Sequence, residues 1–167
     1  MDSVVSLKSV HGKYLSAQPD GRAEWNRNIA SIWECFHVEK RQSGKITLKG
    51  THDMYVSAQP DGSVQINRRE APLGGWEEFT VEERGNNIIC LKSCHGNYLS
   101  AQQNGTVQWN RDHAPRGGWE EFNIEHPGGT GQRESAILTQ QRNNPRRRFH
   151  HMYEKGFTQV PYAYTYT

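Results

Sequence analysis

The chain is poor in several things. It holds three cysteines among 167 residues (Cys35, Cys90 and Cys94), an odd and low count. That argues against a disulfide framework and for a reducing setting. No apolar run approaches the roughly 18 residues that a membrane-crossing helix needs. The opening Met1-Asp2-Ser3-Val4 has neither a basic nor an apolar leader region, so a cytoplasmic location is expected. Hydrophobic residues make up 34% of the chain and mean hydropathy is −0.92, which predicts a small core or a polar segment beside one. No stretch before residue 126 has helical periodicity. A membrane-helix protein, a disulfide miniprotein, a coiled coil and a collagen-like chain are therefore excluded.

What is present is a threefold repeat. Ser9-Val10-His11-Gly12-Lys13-Tyr14-Leu15-Ser16-Ala17-Gln18-Pro19-Asp20-Gly21 returns as Gly50-Thr51-His52-Asp53-Met54-Tyr55-Val56-Ser57-Ala58-Gln59-Pro60-Asp61-Gly62. It returns again as Ser93-Cys94-His95-Gly96-Asn97-Tyr98-Leu99-Ser100-Ala101-Gln102-Gln103-Asn104-Gly105. The spacing is 41 positions from His11 to His52 and 43 from His52 to His95. Each copy continues with an Asn-Arg pair and closes on Trp33-Glu34-Cys35-Phe36, Trp76-Glu77-Glu78-Phe79 or Trp119-Glu120-Glu121-Phe122. The first copy is two residues shorter in the loop before its Trp.

Within each copy, apolar and polar residues alternate in short runs, the period of half-buried strands. Asp20-Gly21, Asp61-Gly62 and Asn104-Gly105 lie between the second and third runs and favour the positive φ angles of tight hairpin turns. Four strands per copy predict twelve. Three copies are too few to close a propeller. The economical closure is a β-trefoil, a six-stranded barrel capped by three hairpins, running from about Val4 to about Glu125. Val5, Leu7, Leu15, Trp25, Phe36, Val38 and their counterparts are the expected core. The domain reading is an all-β trefoil over residues 1–126, with repeats at about 4–45, 46–87 and 88–126, followed by a basic extension over 127–167.

The repeated His-Gly-Lys-Tyr-Leu-Ser-Ala-Gln with Asp-Gly, Asn-Arg and Trp-Glu-x-Phe resembles the fascin-like and hisactophilin-like β-trefoil family. The likeness covers residues 4–126. It implies actin-filament binding or bundling by a non-catalytic module. Bundling requires two filament sites, supplied by two faces, by the extension or by a homodimer. The Gln-x-Trp element of ricin-type trefoil lectins is absent, since the chain has Gln108-Trp109 and Gln65-Ile66.

Several recurring residues are candidates for binding. Lys8, Lys49 and Lys92 follow the last core residue of the first strand and are expected to be exposed, forming a basic rim that meets acidic actin. Arg27, Arg68 and Arg111 read either as part of a partner site or as structural pairs for Glu39, Glu82 and Glu125, with the neighbouring Asn capping the loop. The alternative is a lectin with up to three sites built from Asn26, Asn67, Asn110, Trp33, Trp76 and Trp119, since sugar faces stack on aromatics and glycan hydroxyls pair with amides. His11, His52 and His95 each precede a turn and are expected to order it through a backbone hydrogen bond. Cys90 and Cys94 read as ordinary strand residues. With His95 they have no second half-site, so no metal is expected. No nucleophile motif, acid–base carboxylate pair or phosphate loop stands out. Neither catalysis nor a cofactor is expected.

Charge divides the chain. Residues 1–126 carry 14 Lys/Arg against 16 Asp/Glu, and residues 127–167 carry 6 against 2. After the Gly128-Gly129-Thr130-Gly131 linker come Arg142 and the run Arg146-Arg147-Arg148. These read as a solvated tail or as a contact for anionic lipid or an acidic protein, which would make the chain a scaffold with its specificity in the tail.

Overall fold

The computed structural model describes residues 3–127. The proposed extension over 127–167, including Arg142, Arg146, Arg147 and Arg148, lies outside them apart from Pro127.

Twelve strands form among the described residues, four from each repeat. The first repeat supplies β1 (Ser3–Lys8), β2 (Tyr14–Ala17), β3 (Ala23–Arg27) and β4 (Phe36–Lys40). The second supplies β5 (Ile46–Lys49), β6 (Tyr55–Ala58), β7 (Val64–Arg68) and β8 (Thr80–Glu83). The third supplies β9 (Ile88–Lys92), β10 (Tyr98–Ala101), β11 (Val107–Arg111) and β12 (Phe122–Glu125). All described pairings are antiparallel. β1 pairs with β4 and β12, β4 with β5, β8 with β9, and β9 with β12. Ile46 and Phe79 exchange two backbone hydrogen bonds of 2.9 Å, which brings β5 to the start of β8 and closes the ring.

The hairpins β2–β3, β6–β7 and β10–β11 cap one end. They interlock through bonds that run around the pseudo-threefold axis. Trp25 N–H donates to Gly105 O at 2.9 Å, Ile66 N–H to Gly21 O at 2.7 Å and Trp109 N–H to Gly62 O at 2.7 Å. Glycine is required at these tips on two counts. Each has a φ near +90°, and an added Cβ would come within 3.2–3.3 Å of the neighbouring hairpin. The preceding Asp20, Asp61 and Asn104 do not share the positive φ that the dipeptides suggested. Gly21 N–H instead closes a turn onto Gln18 O, giving a three-residue loop with glycine last. The Asp or Asn side chain accepts the backbone N–H two residues on, at 2.9–3.1 Å.

The expected core is buried almost in full. Val5, Leu7, Leu15, Trp25, Phe36 and Val38 join their counterparts in one cluster, with only Val81 and Ile124 half-buried. Each large side chain contributes about 2 kcal/mol through burial. Trp25 stacks on Phe122 at 4.8 Å and Trp109 on Phe79 at 4.6 Å, while Ile66 holds the third Trp position. Cys90 lies buried in β9, and burial pushes its thiol up to about 11. Cys94 is not a strand residue. It sits exposed in the turn after β9, where Val10 and Thr51 sit in the other copies.

Candidate functional site

Strand register builds the same cross-strand row three times. The last residue of the first strand faces the first residue of the second, which faces the last residue of the third. In the first repeat these are Lys8, Tyr14 and Arg27. In the second they are Lys49, Tyr55 and Arg68, and in the third Lys92, Tyr98 and Arg111. Directly opposed residues on antiparallel strands present their side chains on one face. Each tyrosine therefore lies between a lysine and an arginine in its cross-strand row.

The lysine ammonium lies over its ring at 5.5 Å from the Tyr14 centroid, 5.2 Å from Tyr55 and 5.4 Å from Tyr98. The three lysines are half-buried rather than exposed as expected. Their aliphatic stems cover the barrel wall and the heads are held by the ring quadrupole, an attraction of about 0.5–1 kcal/mol each. Lys49 also lies 3.8 Å from Asp53. Arg27, Arg68 and Arg111 are exposed.

The expected pairing of these arginines with Glu39, Glu82 and Glu125 does not form. Those carboxylates sit opposite Thr47, Cys90 and Ser6, on a different level of the barrel wall. Tyrosine reaches two of them instead. Tyr14 and Tyr98 each donate a 2.6 Å hydrogen bond, to Glu125 and Glu82. Burial and then the bonded Glu125 raise the Tyr14 phenol well above its ordinary value. For Tyr98 the Glu82 hydrogen bond is the main cause of the rise. Both phenols stay protonated at neutral pH and anchor the rings. Glu39 lies 3.7 Å from Arg41, and Arg111 approaches Glu120 at 3.7 Å.

The three histidines bridge repeats instead of ordering their own turns. His11 Nε2 bonds Ala101 O at 2.9 Å, His52 Nε2 bonds Ala17 O at 3.0 Å and His95 Nε2 bonds Ala58 O at 2.9 Å. A carbonyl only accepts, so the ring donates from Nε2. Burial lowers the His52 pKa, with the Ala17 bond opposing that shift. Each imidazole also meets a tryptophan edge to face: His11 with Trp119, His52 with Trp33, and His95 with Trp76. Trp33 is half-buried, whereas Trp76 and Trp119 keep 38% and 37% of their surface exposed. Asn26, Asn67 and Asn110 do not cap the loops. Their amides donate along their own strands to Glu24, Gln65 and Gln108. Among the described residues no hydrogen bond joins these amides to the tryptophans.

The repeats also bury a carboxylate that sequence reading passed over. Glu34, Glu77 and Glu120 are all buried. Glu77 accepts the Ser57 hydroxyl at 2.6 Å, and Glu34 accepts Ser31 N–H at 2.8 Å. Burial raises the Glu34 carboxyl above its usual range, against the opposing effects of its hydrogen bonds and Arg27. The available signal was identity in all three copies directly after Trp.

Closed barrel, hairpin cap and threefold rows together define a β-trefoil protein. Residues 35–108, from the end of the first repeat into β11, match a family model described as a beta-trefoil domain of unknown function (DUF569). No curated protein matches the chain.

Proposed function

We propose that this β-trefoil is a non-catalytic module that binds actin filaments through its Lys–Tyr–Arg rows. The observation that carries the reading is the threefold placement of a ring-held lysine and an exposed arginine on either side of one tyrosine. A cation already held over a ring loses less freedom on meeting an acidic surface. The fascin-like resemblance of the repeats names the filament class. Repetition about the barrel axis gives one molecule more than one filament-facing row, which suits bundling without a dimer. A filament partner places the protein in the cytoplasm.

The test is co-sedimentation of the full-length protein with filamentous actin at two salt concentrations. The reading expects salt-sensitive pelleting, because exposed charge pairs are screened. Charge reversal of Lys8, Lys49 and Lys92 to Glu should weaken binding by about tenfold or more at low salt, with the melting transition retained. Unchanged affinity would remove the rows from the binding surface. Pelleting at low force by the full-length chain but not by a chain ending at His126 would assign bundling to the segment carrying Arg142 and Arg146–Arg148.

The glycan reading stands second. The exposed Trp76 and Trp119 favour it, while their contacts with histidine and the strand-bound amides count against it. A glycan screen with Trp76→Ala and Trp119→Ala decides it.

A further inference from the structure

The pseudo-threefold symmetry is broken at one seam. Arg41, just after β4, forms an ion pair with Glu78 at 3.4 Å and donates to Ala71 O at 2.6 Å. Arg84, just after β8, forms the equivalent pair with Glu121 at 2.9 Å. Each glutamate also accepts a backbone N–H from its loop, Gly74 at 3.1 Å and Gly117 at 2.9 Å. The pair thus ties the long loop before the fourth strand to the barrel. At the third seam the equivalent positions hold Pro127 and Cys35, and the loop is the one that is two residues shorter. Arginine, glutamate and two loop residues are all missing from one place.

A cleft of about 620 Å³ opens there, between the short loop and β12. That volume falls within the range of small-molecule sites. The polar groups around it are incompletely used. Ser6, 1% exposed, has a buried hydroxyl with no hydrogen-bond partner among the described residues. Its counterpart Thr47 reaches Glu39 at 3.4 Å. Glu125 takes one bond on each oxygen, from Tyr14 at 2.6 Å and from Asn123 at 3.4 Å, and keeps acceptor capacity on both. Asn28 accepts from Lys13 at 2.6 Å through its carbonyl oxygen, leaving its amide hydrogens available. Ile29, 77% exposed, supplies an apolar edge.

We propose that this cleft binds a neutral polyhydroxylated ligand of mono- or disaccharide size. Amides beside a carboxylate present donors and acceptors side by side, which suits adjacent hydroxyls that do both. The apolar edge suits a face of C–H bonds. The Glu125 carboxylate repels phosphates and other anions. This site is single and lies where the repeats differ, so it is separate from both the threefold glycan reading and the Lys–Tyr–Arg rows.

The experiment is titration of isotope-labelled full-length protein with a panel of neutral mono- and disaccharides, with sugar phosphates as controls, read by amide chemical shifts. The expected result is saturable shifts at Asn28, Cys35 and Asn123, with Kd near or below about 1 mM for at least one neutral sugar. The variant C35E/P127R restores the missing pair and should weaken binding by about tenfold or more. If that variant does not fold, Asn123→Ala serves the same purpose, since it removes an amide that lines the cleft. The proposal is overturned if no neutral sugar gives saturable shifts at these residues at about ten times that concentration. It is equally overturned if sugar phosphates bind more tightly, or if the folded variant binds unchanged.

Discussion

Two seams of this barrel are laced by an arginine and a glutamate, and the third is not. Arg84 and Glu121 come from different repeats, and so do Arg41 and Glu78. At the third seam Cys35 is buried, its Sγ donating to Ser31 O at 3.2 Å. Both members of the pair differ together there. A lone glutamate at Cys35 would be a buried charge without a partner, and a lone arginine at Pro127 would have none either. The loop is two residues shorter there as well.

The largest effect should come from breaking a laced seam. Arg84→Ala leaves Glu121 poorly solvated and without its cation, held only by the Gly117 N–H among the described contacts, and should lower unfolding free energy by about 3 kcal/mol in urea denaturation. Introducing half of the pair at the open seam comes next. Cys35→Glu should cost about 2 kcal/mol, and adding Pro127→Arg should recover most of it. A double-mutant cycle reads that coupling directly. No recovery would mean that the third seam differs in backbone as well as in side chains.

Backbone changes should have smaller effects. Gly96 has a φ of +88° and open space where a Cβ would go, so Gly96→Ala should cost about 1 kcal/mol from conformation alone. In the second repeat the same position is Asp53, with a φ of +66°. Asp53→Gly should gain about 0.5 kcal/mol after loss of the exposed Lys49 contact, measured by the same denaturation. The subtlest change concerns the buried carboxylates. Glu34 has a raised pKa, so its protonated form favours the fold. That contribution is full below the ordinary carboxyl range and is lost as pH rises through the raised value. Glu34→Gln should therefore raise stability at neutral pH and flatten this part of the pH profile.

The repeat was legible because the same physical demands recur in each copy. Leu7, Leu48 and Leu91 fill equivalent places in the barrel, as do Phe36, Phe79 and Phe122, and Gly21, Gly62 and Gly105 each let a neighbouring hairpin approach. The lysines, arginines, histidines and tryptophans were visible as recurring letters. Their relations were not. The row of Lys8, Tyr14 and Arg27 depends on cross-strand register. The bond from His11 to Ala101 spans 90 positions. Glu39, Glu82 and Glu125 looked like arginine partners by sequence proximity, yet the barrel sets Glu82 and Glu125 where tyrosine reaches them.

The sequence by itself determined the all-β class, the threefold plan and most of the core, because these follow from local alternation, turn residues and repetition. Tertiary structure alone decided which cations share a tyrosine, which histidine holds which repeat, and where the seam opens. Those depend on closure of the barrel, which joins the first strand to the last and brings residues more than a hundred positions apart within hydrogen-bond distance.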